Sequence, residues 1–431
     1  MYKKKINIAL FGFGNVGSYF YKTLENSKND IYKKTGKIPF IKYICVKNSK
    51  RKRKIKIPKS KIVKNYRNIY SDKDVDIIVE LIGKSDGPAK DVVFSALKNK
   101  KHVITANKSL MAKYGDELAL LAEKNKVNLQ YEASVAGGVP IIRSIKEGLI
   151  ANKISKIYGI LNGTTNYILS SMENTRIPFK EALSTAKKLG FAEANPVSDL
   201  NGDDSASKLR ILSSISFNTS ISKNKILTEG IQSINLEDIL YANNLGYKIK
   251  LLSISQIIKN KLMERVHPCL IEKNSYISKI NGVLNAIVID GLPIGKSVLQ
   301  GEGAGPGPTS SALVSDLCSI LKDNLSYPFG VPTTLRKMIV KFNMSNHICS
   351  SYFRIEVKDI PGVLSSITKI FAKNKISIKN LIQKPNKKNK KASIIIITHE
   401  NYEKNYQNLI LNLCKNKFVL KKPTFIRIEK V

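Results

Sequence analysis

Apolar positions in the first 131 residues keep two alternating rhythms. Residues 6–11 form an apolar run that stops at Gly12, and from Asn15 the positions Val16, Tyr19, Phe20 and Leu24 recur at helical spacing. The order is strand, glycine turn, helix. Residues 38–46 and 75–82, the latter closing at Gly83, read as further strands; 88–98 has helical spacing, 102–105 is a short strand, 110–124 a helix and 127–131 a strand. Strands alternating with helices predict right-handed crossovers and a doubly wound parallel sheet, the α/β class.

Beyond Glu132 the pattern changes. Helical stretches at 139–149, 178–189 and 204–217 are interleaved with β-rich runs at 262–270 and 286–289, which predicts a separate α+β domain over 132–300. Polar residues break the pattern at 343–350. A compact unit then follows to residue 431: strand, a Pro361-Gly362 turn, helix, strand, a Lys/Asn-rich hairpin at 385–391, strand, helix, strand. That βαββαβ order is ferredoxin-like, and the domain it predicts spans 349–431.

The first turn carries chemistry. Gly12-Phe13-Gly14-Asn15-Val16-Gly17 is GxGxxG between a strand and a helix, the fingerprint of a dinucleotide site. The first glycine permits the tight turn, the second lets backbone approach a pyrophosphate, and the third lets helix pack on strand. An NAD-selective site places an acid at the end of the second strand, and none is there. Lys47 and Arg51 follow instead, cations suited to a 2′-phosphate, so NADP(H) is favoured and NAD(H) is the alternative.

Composition adds three limits. The 431 residues are 42% hydrophobic, enough for several cores, and no apolar stretch reaches the roughly 18 residues of a membrane span. Five scattered cysteines in no ligand spacing fit a reducing, cytoplasmic compartment and no zinc site. The formal charge of +39 raises nucleic acid as a partner, but the lysines run along the whole chain without an aromatic-interleaved motif. They read as compositional drift, and neither nucleic acid nor membrane is expected as a partner.

Longer motifs resemble a known family. Lys101-His102-Val103-Ile104-Thr105-Ala106-Asn107-Lys108, Tyr131-Glu132-Ala133-Ser134-Val135-Ala136-Gly137-Gly138-Val139-Pro140, Leu161-Asn162-Gly163-Thr164-Thr165-Asn166-Tyr167, Ala192-Glu193-Ala194-Asn195-Pro196, Asp199 to Asp204 with Lys208, and Gly303-Ala304-Gly305 occur in order. Nearly the whole chain resembles a homoserine dehydrogenase with a C-terminal ACT domain, monofunctional because no aspartokinase-like segment precedes the first strand. The resemblance implies reversible NAD(P)H-dependent reduction of L-aspartate 4-semialdehyde to L-homoserine. It also implies that 301–335 returns to complete the dinucleotide domain of 1–131, with Gly303 and Gly305 in the cofactor pocket beside Thr105 and Lys108.

Hydride delivery to an aldehyde leaves negative charge on oxygen, so the site needs an acid. Lys208 is the expected general acid/base. Asp204 lies four residues before it on one helix face to orient it, and Lys108 shares or orients the proton transfer. Burial and cationic neighbours are expected to lower the ammonium pKa. Glu193 and Asp199 would grip the substrate amine and the loop of Asn162 and Thr164 its carboxylate, while Asn195 stands where the family usually has Asp. The resemblance further implies a structural monovalent cation on Glu132 and the carbonyls of Val135, Gly137 and Val139. It implies an effector, threonine, at the loop containing Asp359 and Gly362, and a homodimer or homotetramer.

Overall fold

The computed structural model describes residues 4–48, 55, 57–63, 66–386 and 390–431. Lys4–Phe11 (β1), Asn15–Thr35 (α1), Lys37–Cys45 (β2), Ile62–Val63 (β3), Ile77–Glu80 (β4), Pro88–Lys98 (α2), His102–Thr105 (β5), Lys108–Lys124 (α3) and Leu129–Gln130 (β6) build the first domain. Its sheet has the order β3-β2-β1-β4-β5-β6 with every pairing parallel. The two halves reverse between β1 and β4, the switch point at which such sheets open a crevice beyond their carboxyl ends.

The second domain contains Ile141–Arg143 (α4), Lys153–Ile160 (β7), Gly163–Thr175 (α5), Phe179–Lys188 (α6), Val197–Leu200 (α7), Asp203–Ser216 (α8), Leu227–Thr228 (β8), Leu236–Asn244 (α9), Tyr247–Ile258 (β9), Lys261–Glu272 (β10), Leu284–Leu292 (β11) and Gly295–Glu302 (β12). The helix expected over 139–149 is shorter than its periodicity implied. Pro140 delays its start, α4 has one turn, and residues 144–148 wind as a π turn. Pro306–Leu321 (α10) then returns to the first sheet, where Ala312, Leu313, Leu317, Ile320 and Leu321 join the core of Ile8, Leu10, Phe20 and Leu24.

Ile348–Lys358 (β13), Val363–Lys373 (α11), Ile378–Asn386 (β14), Lys391–Thr398 (β15), Asn401–Tyr402 (β16), Glu403–Cys414 (α12) and Thr424–Ile428 (β17) complete the chain. Their sheet order, β17-β13-β15-β14, is that of a ferredoxin-like unit. This unit does not stand apart. β17 pairs in parallel with β10, Cys269 opposite Arg427 and Leu270 opposite Ile428, so one sheet runs through both domains. Charges bind the join: Arg265 reaches Glu429 at 2.8 Å, Arg427 reaches Glu403 at 2.6 Å and Glu229 at 2.8 Å, and Arg354 reaches Asp238 at 2.6 Å. Deleting one partner of a pair this buried leaves an uncompensated charge, a loss of about 3–5 kcal/mol.

Among the described residues no helix is long and apolar enough to cross a membrane.

Candidate active site

The register of the first sheet aligns three strand ends, with Phe11 beside Glu80 and Glu80 beside Thr105. The glycine turn after β1 and the start of α3 therefore open on the same edge, two strands or about 10 Å apart. The three glycines differ in the space around them. Gly12 has φ +98°, and a Cβ there would lie 2.5 Å from the Leu81 carbonyl oxygen. A Cβ on Gly17 would lie 2.3 Å from the Gly12 oxygen, whereas a Cβ on Gly14 would meet nothing within 4 Å. The turn is thus closed on the strand side and open above the N-terminus of α1, the place for a pyrophosphate.

Asn15 begins α1 and is exposed, Val16 is half-buried, and Phe13 packs edge-on against Tyr21 at 5.8 Å. The N-terminus of α10 lies alongside, since a Cβ on Gly307 would meet the Tyr19 hydroxyl at 3.6 Å. Gly305, at φ +116°, precedes α10, and Gly303 packs under the Asn285 amide so closely that no side chain fits. Lys47 is exposed just past β2; Arg51 lies outside the described residues. Thr105 is fully buried and faces inward: its hydroxyl donates to Glu80 at 2.6 Å and accepts from the Asn107 N–H at 3.0 Å. Glu80 also accepts from the amides of Ile82 and Gly83 at 2.7 and 3.1 Å, which shapes the turn beyond β4. Glu80 sits in an apolar run, and its acidity was the one signal of this role.

Asp204 is the centre of the polar cluster. Its carboxylate lies 2.6 Å from the Lys108 ammonium and 2.8 Å from that of Lys208. Lys108 comes from the first domain and the other two from α8, so the dinucleotide edge and the acid-and-amine helix face converge. Lys108 starts its helix, where the dipole disfavours a cation, and Asp204 offsets that cost from the first turn of α8, where a carboxylate is favoured. Lys208 also donates to the Leu161 carbonyl at 2.8 Å, leaving one N–H for a substrate. The Asn162 amide donates to Asp199 at 2.8 Å and to Asp204 at 3.0 Å, while its oxygen caps α5.

The electrostatics follow from this crowding. Burial pushes the Asp204 carboxyl up, but the two ammonium groups pull it further down, so it stays below the ordinary carboxylate range. Burial pushes Lys108 down, yet Asp204, Asp199 and Glu193 hold it above its ordinary value. The expected lowering of an ammonium pKa is thus reversed at Lys108, because the carboxylates outnumber the cations around it. Burial and the charge of Asp204 raise Asp199. Glu193 is exposed on the loop before α7, held by the Thr164 hydroxyl, which donates to the Phe191 carbonyl at 2.6 Å; Asn195 is exposed on the same loop.

Glu132 is buried and accepts the amides of Ile142 and Arg143 at 2.9 and 2.8 Å. It therefore caps α4, a task its sequence context did not announce. The next turn has φ +54° at Ala136 and +46° at Gly137, and the Val139 carbonyl accepts from Ile141 at 2.8 Å. A carboxylate with turn carbonyls is a set of hard oxygen donors, a chemistry that fits a weakly held cation. Among the described residues, one group of three potential ligands stands elsewhere, at His267, Cys269 and Glu429. Arg265 already occupies both Glu429 oxygens, at 3.2 and 2.8 Å, so this group is part of the domain join. In the last domain Gly362, at φ +87°, precedes α11 with open space above it, and Asp359 accepts from Gln383 at 3.4 Å.

A family model described as homoserine dehydrogenase, NAD binding domain, matches residues 12–132, one described as homoserine dehydrogenase matches 140–318, and the ACT domain matches 351–413. The homoserine dehydrogenase of Neisseria gonorrhoeae is 37% identical over 435 residues, with 99% of both chains covered. That of Helicobacter pylori is 38% identical over 427 residues, covering 99% of this chain and 100% of the relative. The crystal structure of a homoserine dehydrogenase from Thiobacillus denitrificans superimposes with a TM-score of 0.91 at 36% identity, covering 99% of each chain.

Proposed function

The chain belongs to the homoserine dehydrogenase family, and from that premise we propose how its residues perform the reaction. The activity is that of an NAD(P)-dependent oxidoreductase acting on a CH–OH group, the interconversion of L-aspartate 4-semialdehyde and L-homoserine. A dinucleotide with its pyrophosphate on the glycine turn would supply or accept the hydride through its nicotinamide. Lys208 presents its remaining N–H to the carbonyl oxygen and protonates it during reduction; in oxidation the neutral amine takes the proton back. Asp204 fixes the ammonium, and Lys108 aims a second positive charge at the oxygen where negative charge develops. Glu193 and Asp199 bind the substrate amine. Asn162 holds Asp199 and Asp204 in place, and the Asn162–Thr164 loop offers groups to the substrate carboxylate. The observation that carries this reading is the Lys108–Asp204–Lys208 bridge across the two domains.

NADP(H) is the favoured cofactor, with Lys47 and Arg51 at the 2′-phosphate. Glu132 and the carbonyls of Val135, Gly137 and Val139 hold a monovalent cation that offsets the buried charge of Glu132. The assembly is a homodimer or homotetramer in the cytoplasm, consistent with five free cysteines. An assay of aspartate semialdehyde reduction is expected to show turnover with NADPH and a lower kcat/KM with NADH. The absence of turnover with either dinucleotide, in sodium or potassium buffer and in choline alike, would refute the catalytic reading.

Threonine is the proposed ACT effector, since an amino-acid carboxylate would meet the N-terminus of α11 above Gly362. Millimolar threonine should lower the rate, and Asp359→Ala should blunt the response. An unchanged rate across that range would leave the module with an assembly role alone.

A further inference from the structure

We propose that Arg336 is a positioning residue for the reaction: its single guanidinium holds α3 and α8 in the registration that brings Lys108 onto Asp204 beside Lys208. The inference rests on the catalytic roles given to those three residues.

The two helices belong to different domains, and each carries its chemistry near its N-terminal end. Eight residues after Lys108, about 12 Å along α3, comes Asp116; six residues after Lys208, about 9 Å along α8, comes Ser214. Arg336 lies in the segment that leads from α10 to β13, and it reaches both. Its Nη2 is 2.8 Å from Asp116 Oδ1, and it donates to the Ser214 hydroxyl. Nε and Nη2 also donate to the Thr219 carbonyl, just past α8, at 3.2 and 2.9 Å. The guanidinium is 0% exposed and lies 3.8 Å above the centre of the Phe329 ring.

This contact fixes distance and rotation together. An ion pair to the acid on one helix, with hydrogen bonds to a hydroxyl and a carbonyl at the other, means that neither helix slides without losing a contact. The second Asp116 oxygen accepts the Ile221 amide at 3.0 Å, so the acid is itself aimed. The backbone of α3 is seated hard against the same cage, for a Cβ on Gly115 would lie 2.5 Å from Ile221 and 2.9 Å from Phe329. Among the described residues, Lys108–Asp204 is the only direct ion pair between the two helices. Arg336 therefore anchors the far end of an arrangement whose near end does the chemistry. Misplacement by an ångström costs about a hundredfold in rate, so a lost anchor is read in turnover.

The test uses the full-length protein and three variants, Arg336→Met, Arg336→Lys and Asp116→Asn. Asp116 is partly exposed, so its near-isosteric variant folds even where Arg336→Met does not, and it then decides the question alone. Expected are a kcat reduced at least about tenfold, an unchanged KM for NADPH, and an alkaline limb of the reduction profile moved to lower pH. The last follows because a loosened Asp204 no longer holds Lys108 charged. Arg336→Lys should recover part of the rate, since an ammonium can reach Asp116 but cannot span both helices. A folded Asp116→Asn protein with wild-type kcat and pH profile overturns the proposal. If Lys208→Ala is then still inactive, the catalytic reading survives and only the anchor is lost; a wild-type protein without turnover defeats both.

Discussion

Lys208→Ala is expected to lower turnover by a factor of about 10²–10⁴ while the KM for the dinucleotide stays near its original value. The residue lies at 10% side-chain exposure, with two of its N–H groups committed to Asp204 and the Leu161 carbonyl. A third is therefore held in one direction, which is what a general acid requires. Removing the ammonium takes away the proposed proton donor and leaves Asp204 with Lys108 as its one cationic partner. The glycine turn lies about two strand spacings away and is untouched, so the loss should appear in kcat. Steady-state kinetics in both directions check this, and normal turnover in the variant would remove Lys208 from the mechanism.

The complementary change, Gly17→Ala, should spoil dinucleotide binding and leave the polar cluster intact. An added Cβ would sit 2.3 Å from the Gly12 carbonyl oxygen, a distance that neither backbone segment can relieve without opening the turn. Because Gly12 is itself pressed against Leu81 at the end of β4, the displacement runs into the strand rather than outward. The expected result is a KM for NADPH raised by at least an order of magnitude, about 1.4 kcal/mol of lost binding, together with a lower melting temperature. Fluorescence titration with NADPH measures it. Gly14→Ala provides the contrast, because a methyl there meets only open space in the protein and acts on the ligand alone.

Much of this was legible in the sequence because the first domain obeys its periodicities. The apolar stretches 8–11 of β1 and 77–79 of β4 are buried on both faces, and α2 and β5 begin and end where their patterns do. The four-residue spacing of Asp204 and Lys208 also carried directly into a shared helix face. Other parts depend on residues far away in the chain. β9 reads as half-polar because of Lys248 and Lys250, yet Lys250 is buried. Its ammonium is received by the Ile280 carbonyl at 2.6 Å and by Asn281 and Asn166 at 3.0 and 3.1 Å, partners that only the folded chain assembles. Burial there pushes Lys250 down to about 8. β12 was illegible for the opposite reason: it is an edge strand, largely open to water, and offers no apolar run. At the site, the bridging amide of Asn162 and the inward turn of Thr105 toward Glu80 were equally hidden, since each depends on an acid 25 or more residues away.

The pairing of β17 with β10 has a consequence for how this protein can be taken apart. A chain cut ahead of β13 would not be a simpler version of the same protein. It would leave the rim of β10 bare at Cys269 and Leu270, an adhesive border of the kind that recruits stray strands, and it would strand Arg265 without its counter-charge. Exchange of the terminal module with that of another enzyme meets the same obstacle, because a graft must reproduce the weave at those two residues and rehouse the severed charges of Arg265, Glu229 and Asp238. The two domains are one fabric here, and shortening it frays both.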